Sequence, residues 1–304
     1  MLEVLEISGF ATFQDLGRRG FQSFGVPISG AMDWFAYRVA NYLLGNSDND
    51  TVLEIGLGDI TFRAKRDCVL AVTGAGYEVQ NYLWTFPLWT SFYVRAGWAV
   101  QIKKTSGGNW AYVAIAGGFD VPKVLGSSST YVRGGLGNAI QTGDILQIGK
   151  PSTDLTKLAA RDFPVQKFMQ YSQTPIVGVI AGPQRERFDH TFFENEYILS
   201  KSFDRMGYRL EGKAIESQDK SELISEGMTM GSIQIPASGQ PIVMMADSPT
   251  TGGYPKIGNV IRADLPLLAQ CESGKSRIRF KEISVEEAQE KYKKTSEILK
   301  TSDV

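Results

Sequence analysis

The chain has 304 residues, of which 42% are hydrophobic and 21% are charged, and its formal net charge is −1. These values predict a soluble globular protein of one large or two ordinary domains. They disfavour nucleic acid or an anionic membrane as a partner, because the molecule as a whole offers no basic field.

Cys68 and Cys271 are the only cysteines and lack CxxC spacing. This usage indicates a reducing compartment and argues against a disulfide scaffold or a zinc site. The first residues are acidic and alternate in polarity, unlike a signal peptide. No apolar run approaches the roughly 20 residues that span a bilayer. We therefore expect a cytoplasmic protein without a membrane segment.

Short β-branched or aromatic runs, separated by turn residues, recur along the chain. They lie at 67–73, 90–94, 98–103, 110–116, 145–148, 176–180, 233–235 and 277–283. Such spacing favours barrels or sandwiches over βαβ units. The sequence predicts a mostly β fold.

A first helix is predicted over residues 31–44, where apolar residues recur at helical spacing up to the stop signal at Gly45. Its apolar face consists of Met32, Phe35, Val39 and Leu43. The residues that precede it, near Ser29, lie where a helix dipole attracts anions.

Two further helices are predicted near the end of the chain. Asp264 is expected to cap a short helix over 265–270. Ser284 and Glu287 form a capping box, which opens a Lys- and Glu-rich helix that runs to about residue 300. Because few positions of this last helix are apolar, we predict a solvated appendage.

Proline and polar residues between 150 and 175 interrupt the strand pattern and predict a domain boundary there. We predict an N-terminal domain at 1–165, a C-terminal domain at 166–285 and a helical tail at 286–304.

The stretch 245–256, MADSPTTGGYPK, carries the densest set of chemically useful residues. Its paired glycines, Gly252 and Gly253, allow close backbone approach. Its hydrogen-bonding and charged side chains belong to Asp247, Thr250, Thr251, Tyr254 and Lys256. The stretch is a candidate binding or catalytic loop, and a decorated hairpin turn is the alternative.

Arginine and glycine also occur together in four other parts of the chain. They lie at 15–21 leading into 25–33, at 117–135, at 182–188 and at 204–209. Guanidinium groups and glycine N–H groups suit a carboxylate or phosphate, so these segments predict a pocket for a small anionic or carbonyl-bearing ligand. Alternatively, each arginine pairs with a nearby acid to hold its own loop.

Several familiar sites are missing from the sequence. There is no GxxxxGK[ST] phosphate loop, and the glycines at 134–137 lack the spacing of a dinucleotide fingerprint. His190 is the only histidine, which argues against Ser-His-Asp catalysis and multi-histidine metal sites. No metal is predicted. Glu54 is predicted to be a buried structural carboxylate.

Six motifs resemble one protein family. They are TFQDLGRRG at 12–20, GVPISGAMD at 25–33, LGSSST at 125–130, GPQRERF at 182–188, DRMGYRLEG at 204–212 and TTGGYPK at 250–256. Together they resemble the allophanate hydrolase subunit 2 family, also called the biotin-dependent carboxyltransferase-like or KipI-antagonist (KipA) family, which includes the C subunit of 5-oxoprolinase. The resemblance extends from about residue 3 to residue 285. The family often carries an arginine where this chain has Ser128.

The resemblance implies two cyclophilin-like β-barrel domains with a few short helices. It implies two partners, which are a KipI-like B subunit of the complex and its A subunit, and an active site shared with a partner. ATP is implied for the complex, with its site unknown. The chain lacks a Met-Lys-Met biotin-attachment sequence, so it is not expected to carry biotin.

The leading hypothesis is a non-autonomous C subunit of an ATP-dependent 5-oxoprolinase-type complex, which opens the cyclic amide of 5-oxoproline to glutamate. The predicted catalytic residues are Asp247, Tyr254 and Lys256. The predicted substrate-binding residues are Arg205, Arg209, Thr250, Thr251, Gly252, Gly253, Ser29 and Arg19. Arg205 and Arg209 are expected to bind the substrate carboxylate. As a surface arginine, Arg205 should change stability by less than about 0.5 kcal/mol when removed.

Two other functions stay open. One is a carboxyltransferase subunit of a urea carboxylase or allophanate hydrolase system, which would need a separate biotinylated carrier. The other is a regulatory antagonist that binds a KipI-like kinase inhibitor without turnover.

Overall fold

A computed structural model describes residues 1–219 and 221–301 of the chain, which packs as two compact units. The first unit is formed by Met1–Arg18 and Ser29–Gln170, and the second by Arg19–Ile28 and Tyr171–Ile298. The early segment Arg19–Ile28 therefore groups with the second unit. The limits of 165 and 285 for the domains stay a prediction.

The first unit is built around two antiparallel sheets. Its strands are β1 (Leu2–Ile7), β2 (Phe10–Gln14), β3 (Val52–Gly56), β4 (Ile60–Ala64), β5 (Cys68–Gly74), β6 (Tyr77–Gln80), β7 (Thr85–Phe86), β8 (Thr90–Val94), β9 (Ala99–Lys104), β10 (Trp110–Ile115) and β11 (Ile145–Leu146). One sheet has the order β11-β1-β4-β9-β6-β7 and the other the order β2-β3-β10-β5-β8. Apolar side chains from both sheets form one core, which includes Leu53, Phe62, Ile102 and Val113.

Strands β5 and β10 are buried along their whole length, because helix α1 (Trp34–Leu43) covers the face of their sheet that lies away from the core. The Thr73 hydroxyl on β5 donates to the Ala36 carbonyl at 2.7 Å. The Asp33 side chain caps α1 by accepting the Ala36 N–H at 2.9 Å. The four residues predicted for the apolar face are each 0% exposed, so this prediction is confirmed. A short helix, α2 (Leu155–Leu158), follows later in the unit.

The predicted burial of Glu54 is also confirmed. Its side chain is 0% exposed and accepts the Tyr112 hydroxyl and the Met32 N–H, both at 2.8 Å. Because these donors come from β10 and from the entry to α1, Glu54 links the sheet to the helix.

The second unit is a closed barrel. Its strands, in barrel order, are β12 (Ile176–Ala181), β19 (Lys256–Val260), β16 (Ser232–Gln234), β17 (Ile242–Met244), β14 (Gly207–Glu211), β13 (Glu196–Phe203) and β20 (Arg277–Glu282). Strands β20 and β12 pair in parallel and close it. A separate pair, β15 (Glu226–Gly227) and β18 (Thr251–Gly252), lies outside the barrel sheet. The mostly β prediction is confirmed.

Three helices accompany the barrel: α3 (Thr191–Glu194), α4 (Leu265–Ala269) and α5 (Val285–Thr301). The predicted cap of α4 is wrong, because the Asp264 side chain does not bond the helix's first N–H groups. Instead, Asp264 accepts the Gly178 N–H at 2.8 Å and pairs with Lys291 of α5 at 2.6 Å.

The capping box that opens α5 is confirmed: the Ser284 N–H donates to Glu287, and the Glu287 N–H donates to Ser284, at 3.0 and 3.1 Å. The prediction that α5 is a solvated appendage is wrong. Ala288 is 7% exposed and packs with Ile261 and Ala263. One apolar turn and one buried ion pair are enough to hold a helix whose sequence is mostly polar.

Candidate functional site

The loop 247–256 joins two barrel strands of the second unit, β17 and β19. Midway it forms β18, which pairs with β15 so that Thr251 lies opposite Gly227. The Met228 N–H donates to the Thr250 carbonyl at 2.9 Å. The loop is therefore a fixed arm laid against residues 226–228, and its side chains have defined positions.

Arg205 and Asp247 form a bidentate ion pair at the start of this arm. Nε of Arg205 donates to Oδ2 of Asp247 at 2.9 Å, and Nη2 donates to Oδ1 at 3.0 Å. The two side chains are 6% and 10% exposed. The structure thus brings two predicted site residues together, as partners of each other. Arg205 is buried, so its description as a surface arginine is wrong.

A second polar cluster holds the end of the arm. Nζ of Lys256 lies 2.8 Å from Oε2 of Glu226 and donates to the Gly227 carbonyl at 3.0 Å. Gln184 joins the same cluster, because its Nε2 donates to Glu226 and its Oε1 accepts the Lys256 N–H, both at 3.0 Å. Hydrogen bonds from Lys256 and then Gln184 hold the pKa of Glu226 below its ordinary value.

Tyr254 and Gly253 lie between these two clusters and line a cavity of about 860 Å³ in the second unit. Its apolar walls include Ile215 and Ile235, and its acidic residues are Glu216, Asp219 and Glu222. Tyr254 is 51% exposed, so its hydroxyl is available to a ligand. A cavity of this volume is large enough for a small-molecule substrate.

The loop that forms the far wall of this cavity is held by Arg187. Its Nε lies 3.3 Å from Oδ2 of Asp219, and its Nη1 donates to the Ser221 carbonyl at 3.0 Å. Hydrogen bonds from Ser221 hold the pKa of Asp219 below its ordinary value. The wall is therefore anionic at neutral pH.

The other predicted residues occupy different positions. Arg209 is exposed on β14, between the inward-facing Tyr208 and Leu210. Arg19 is exposed in the segment that groups with the second unit, whereas Ser29 belongs to the first unit. Gly252 is required by close packing, since a Cβ there would lie 2.6 Å from Nε2 of Gln234.

The two residues that hold Lys256 were not predicted from the sequence. Gln184 lies in the GPQRERF motif, where only the arginines were considered. Glu226 had no sequence signal, because it follows a polar stretch without periodicity and meets Lys256 only through the β15–β18 pairing.

Across residues 1–219 and 221–301, no group of three or more His, Cys, Asp and Glu side chains is arranged to hold a metal ion. In the same part of the chain, no helix has the length and apolar character of a membrane-crossing segment.

Comparisons with known proteins place the chain in a family. Residues 24–282 match the carboxyltransferase domain, subdomain A and B. The chain is 38% identical to the 5-oxoprolinase C subunit of Haemophilus influenzae over 297 residues, covering 95% of this chain and 93% of that protein. It is also 38% identical to the 5-oxoprolinase C subunit of Escherichia coli over 302 residues, with the same coverage.

Among solved structures, the chain is similar to the urea amidolyase of K. lactis, with a TM-score of 0.89 and 26% identity. The similarity covers 98% of this chain and 20% of that much longer protein. The fold of this chain therefore also occurs as one part of a larger enzyme.

Proposed function

This chain belongs to the carboxyltransferase domain family, subdomain A and B, and from that premise we propose that it is the C subunit of an ATP-dependent 5-oxoprolinase. The complex would hydrolyse the cyclic amide of 5-oxoproline to glutamate. The observation that carries this proposal is the identity of 38% to two proteins that are each named as the C subunit of 5-oxoprolinase, over nearly the full length of each.

The chemistry explains why such a protein would act with partners. An unactivated lactam is a poor electrophile, and ATP can convert its oxygen into a leaving phosphate before water opens the ring. We assign ATP to the complex as a co-substrate and assign none of this chain's residues to it. The proposed partners are the KipI-like B subunit of the complex and its A subunit.

Within this chain, the cavity at Tyr254 is the proposed place where the lactam is held. The Tyr254 hydroxyl would donate to the lactam carbonyl as negative charge develops on its oxygen. A preorganised donor of this kind contributes about 3–4 kcal/mol to transition-state stabilisation. The ion pair of Arg205 with Asp247 and the cluster around Lys256 would fix the two ends of the loop that carries Tyr254.

A carboxyltransferase activity on urea or a similar amide is the second candidate. It is favoured by the fold shared with the K. lactis urea amidolyase. The identity to the urea amidolyase of Saccharomyces cerevisiae is lower, at 27%, and covers 18% of that protein. This candidate needs a separate biotinylated carrier, so avidin should abolish the activity.

Reconstitution tests these proposals. The chain is combined with the two purified partners, 5-oxoproline and ATP, and glutamate and ADP are measured with each component omitted in turn. We expect glutamate formation that requires this chain and is insensitive to avidin. Tight association with the KipI-like partner, without turnover in the full mixture, would instead support a regulatory antagonist.

A further inference from the structure

The first unit contains a cavity of its own, of about 340 Å³. Its walls are largely apolar and include Phe13, Val121, Pro122, Val124 and Leu136. Arg18 and the serine-rich segment 127–130 line the same space. A small enclosed cavity with apolar walls and one cationic side chain is typical of a site for a small organic anion.

Arg18 is the only arginine among the residues that line this cavity, and it is 2% exposed. Its Nη2 donates to the Ser129 carbonyl and its Nε to the Val124 carbonyl, the latter at 3.5 Å. These carbonyls fix the plane of the guanidinium before any ligand binds. Away from bulk water, a fixed guanidinium attracts a carboxylate more strongly than it would at an exposed site.

Asp15 sets the shape of the serine-rich wall. Its carboxylate accepts the hydroxyls of Ser127 and Ser129, each at 2.6 Å, and the N–H of Ser128 at 2.8 Å. The same loop supplies the Ser129 carbonyl that holds Arg18. Because protein groups already order this wall, a ligand would lose little affinity to loop ordering.

We propose that this cavity binds a small monocarboxylate, with its carboxylate on Arg18 and an apolar body of about five-membered-ring size against Phe13 and Val124. Asp144 lines the same cavity, and its Oδ2 accepts the Gln141 N–H at 2.8 Å. An acceptor there favours a ligand that also carries an N–H group. The proposal concerns the first unit alone and does not depend on the proposed activity.

Three probes of nearly equal size separate the contributions. 5-Oxoproline carries both a carboxylate and a lactam N–H, cyclopentanecarboxylate carries only the carboxylate, and 2-pyrrolidinone carries only the lactam. Each is titrated into the full chain, and binding is followed by protein chemical shifts. We expect affinity in the order 5-oxoproline, cyclopentanecarboxylate, 2-pyrrolidinone, with the neutral probe at least about tenfold weaker than 5-oxoproline.

Two variants test the location. Arg18→Lys keeps the charge but loses the planar fork, and should weaken 5-oxoproline binding about tenfold. Val124→Trp blocks the cavity from a side chain that is 42% exposed, so the fold should tolerate it while binding is lost. Arg66→Ala is the matched control, because Arg66 also donates to two backbone carbonyls of the first unit but is exposed.

The Arg66 control should bind 5-oxoproline as the wild type does. Equal affinity of wild type and Val124→Trp for 5-oxoproline would overturn the proposal, because the ligand would then bind elsewhere. The absence of saturable binding of either acid to the wild-type chain would overturn it as well. Equal affinity for 2-pyrrolidinone and 5-oxoproline would remove Arg18 as the recognition element.

Discussion

The guanidinium of Arg205 and the carboxylate of Asp247 face each other as two parallel hydrogen bonds of 2.9 and 3.0 Å, in a place where both side chains are nearly buried. The Asp247 N–H also donates to the Arg205 carbonyl at 2.7 Å. Two loops that are 42 residues apart in sequence are thus joined by side chains and by backbone. The position of the loop that carries Tyr254 depends on this joint.

Replacing Arg205 by alanine should lower the free energy of unfolding by about 3–5 kcal/mol, because it leaves a nearly buried carboxylate without its partner. The melting temperature should fall by several degrees, and turnover of the complex should be lost with it. Arg209→Ala is the control for stability, since Arg209 is exposed on β14, and it should change the free energy by less than about 0.5 kcal/mol. Denaturant unfolding measures both variants, and equal stabilities would contradict a structural role for the pair.

Asp15→Asn should lower the free energy of unfolding at neutral pH by about 3 kcal/mol or more. The carboxylate accepts hydrogen bonds from the serines of 127–129 and from the Gly17 N–H, and an amide would point a donor at some of these donors. Asp67→Asn is the control, since Asp67 also accepts hydrogen bonds, from Tyr93 and Ala96, but is exposed. Equal losses in the two variants would show that burial is unimportant here.

The same substitution predicts a pH dependence. Burial alone would raise the pKa of Asp15, but the hydrogen bonds from the serines outweigh it and hold the pKa below its ordinary value of 3.8. The stabilisation by the carboxylate is therefore fully present above the unfolded-state pKa and is lost as pH falls through the lower folded-state pKa. The stability gap between wild type and Asp15→Asn should stay constant at neutral pH and narrow in acid, below the ordinary value. A gap that widens in acid would reverse the assignment.

Two lysines of α5 provide a matched comparison of buried and exposed ion pairs. Lys291 and Lys294 each lie 2.6 Å from a carboxylate, but Asp264 is 0% exposed whereas the side chain of Glu290 is 66% exposed. Lys291→Ala should cost about 3 kcal/mol, because Asp264 would remain buried without its cation. Lys294→Ala should cost no more than about 0.5 kcal/mol. Thermal unfolding of the two variants decides whether α5 is held by this contact or is an independent helix.

Glu226→Gln should lower kcat of the reconstituted complex by about tenfold or more with little change in KM, because Glu226 positions the end of the loop that carries Tyr254. The melting temperature should stay within about 2 °C of wild type, since Glu226 is only half-buried. Glu290→Gln removes another glutamate paired with a lysine and should leave kcat unchanged. A kcat of wild-type size in Glu226→Gln would remove this residue from the positioning of the site.

Local patterns were enough to predict the elements of this protein. The apolar face of α1, the capping box at Ser284 and the strands over 110–116 and 277–283 follow from side-chain periodicity and from hydrogen bonds between neighbours in sequence. The six motifs were also enough for the family, because a family signature is carried by the order of short segments.

Partners distant in sequence were decided only by the tertiary structure. The sequence placed Arg205 and Asp247 in one site, but it took the folded barrel to join them to each other, and the β15–β18 pairing to bring Glu226 to Lys256. Likewise, Asp264 gave a helix-cap signal and instead meets a backbone N–H and a lysine from distant segments. The physical reason is that a buried charge takes whatever partner the packed chain brings within about 3 Å, and that geometry is not written in local composition.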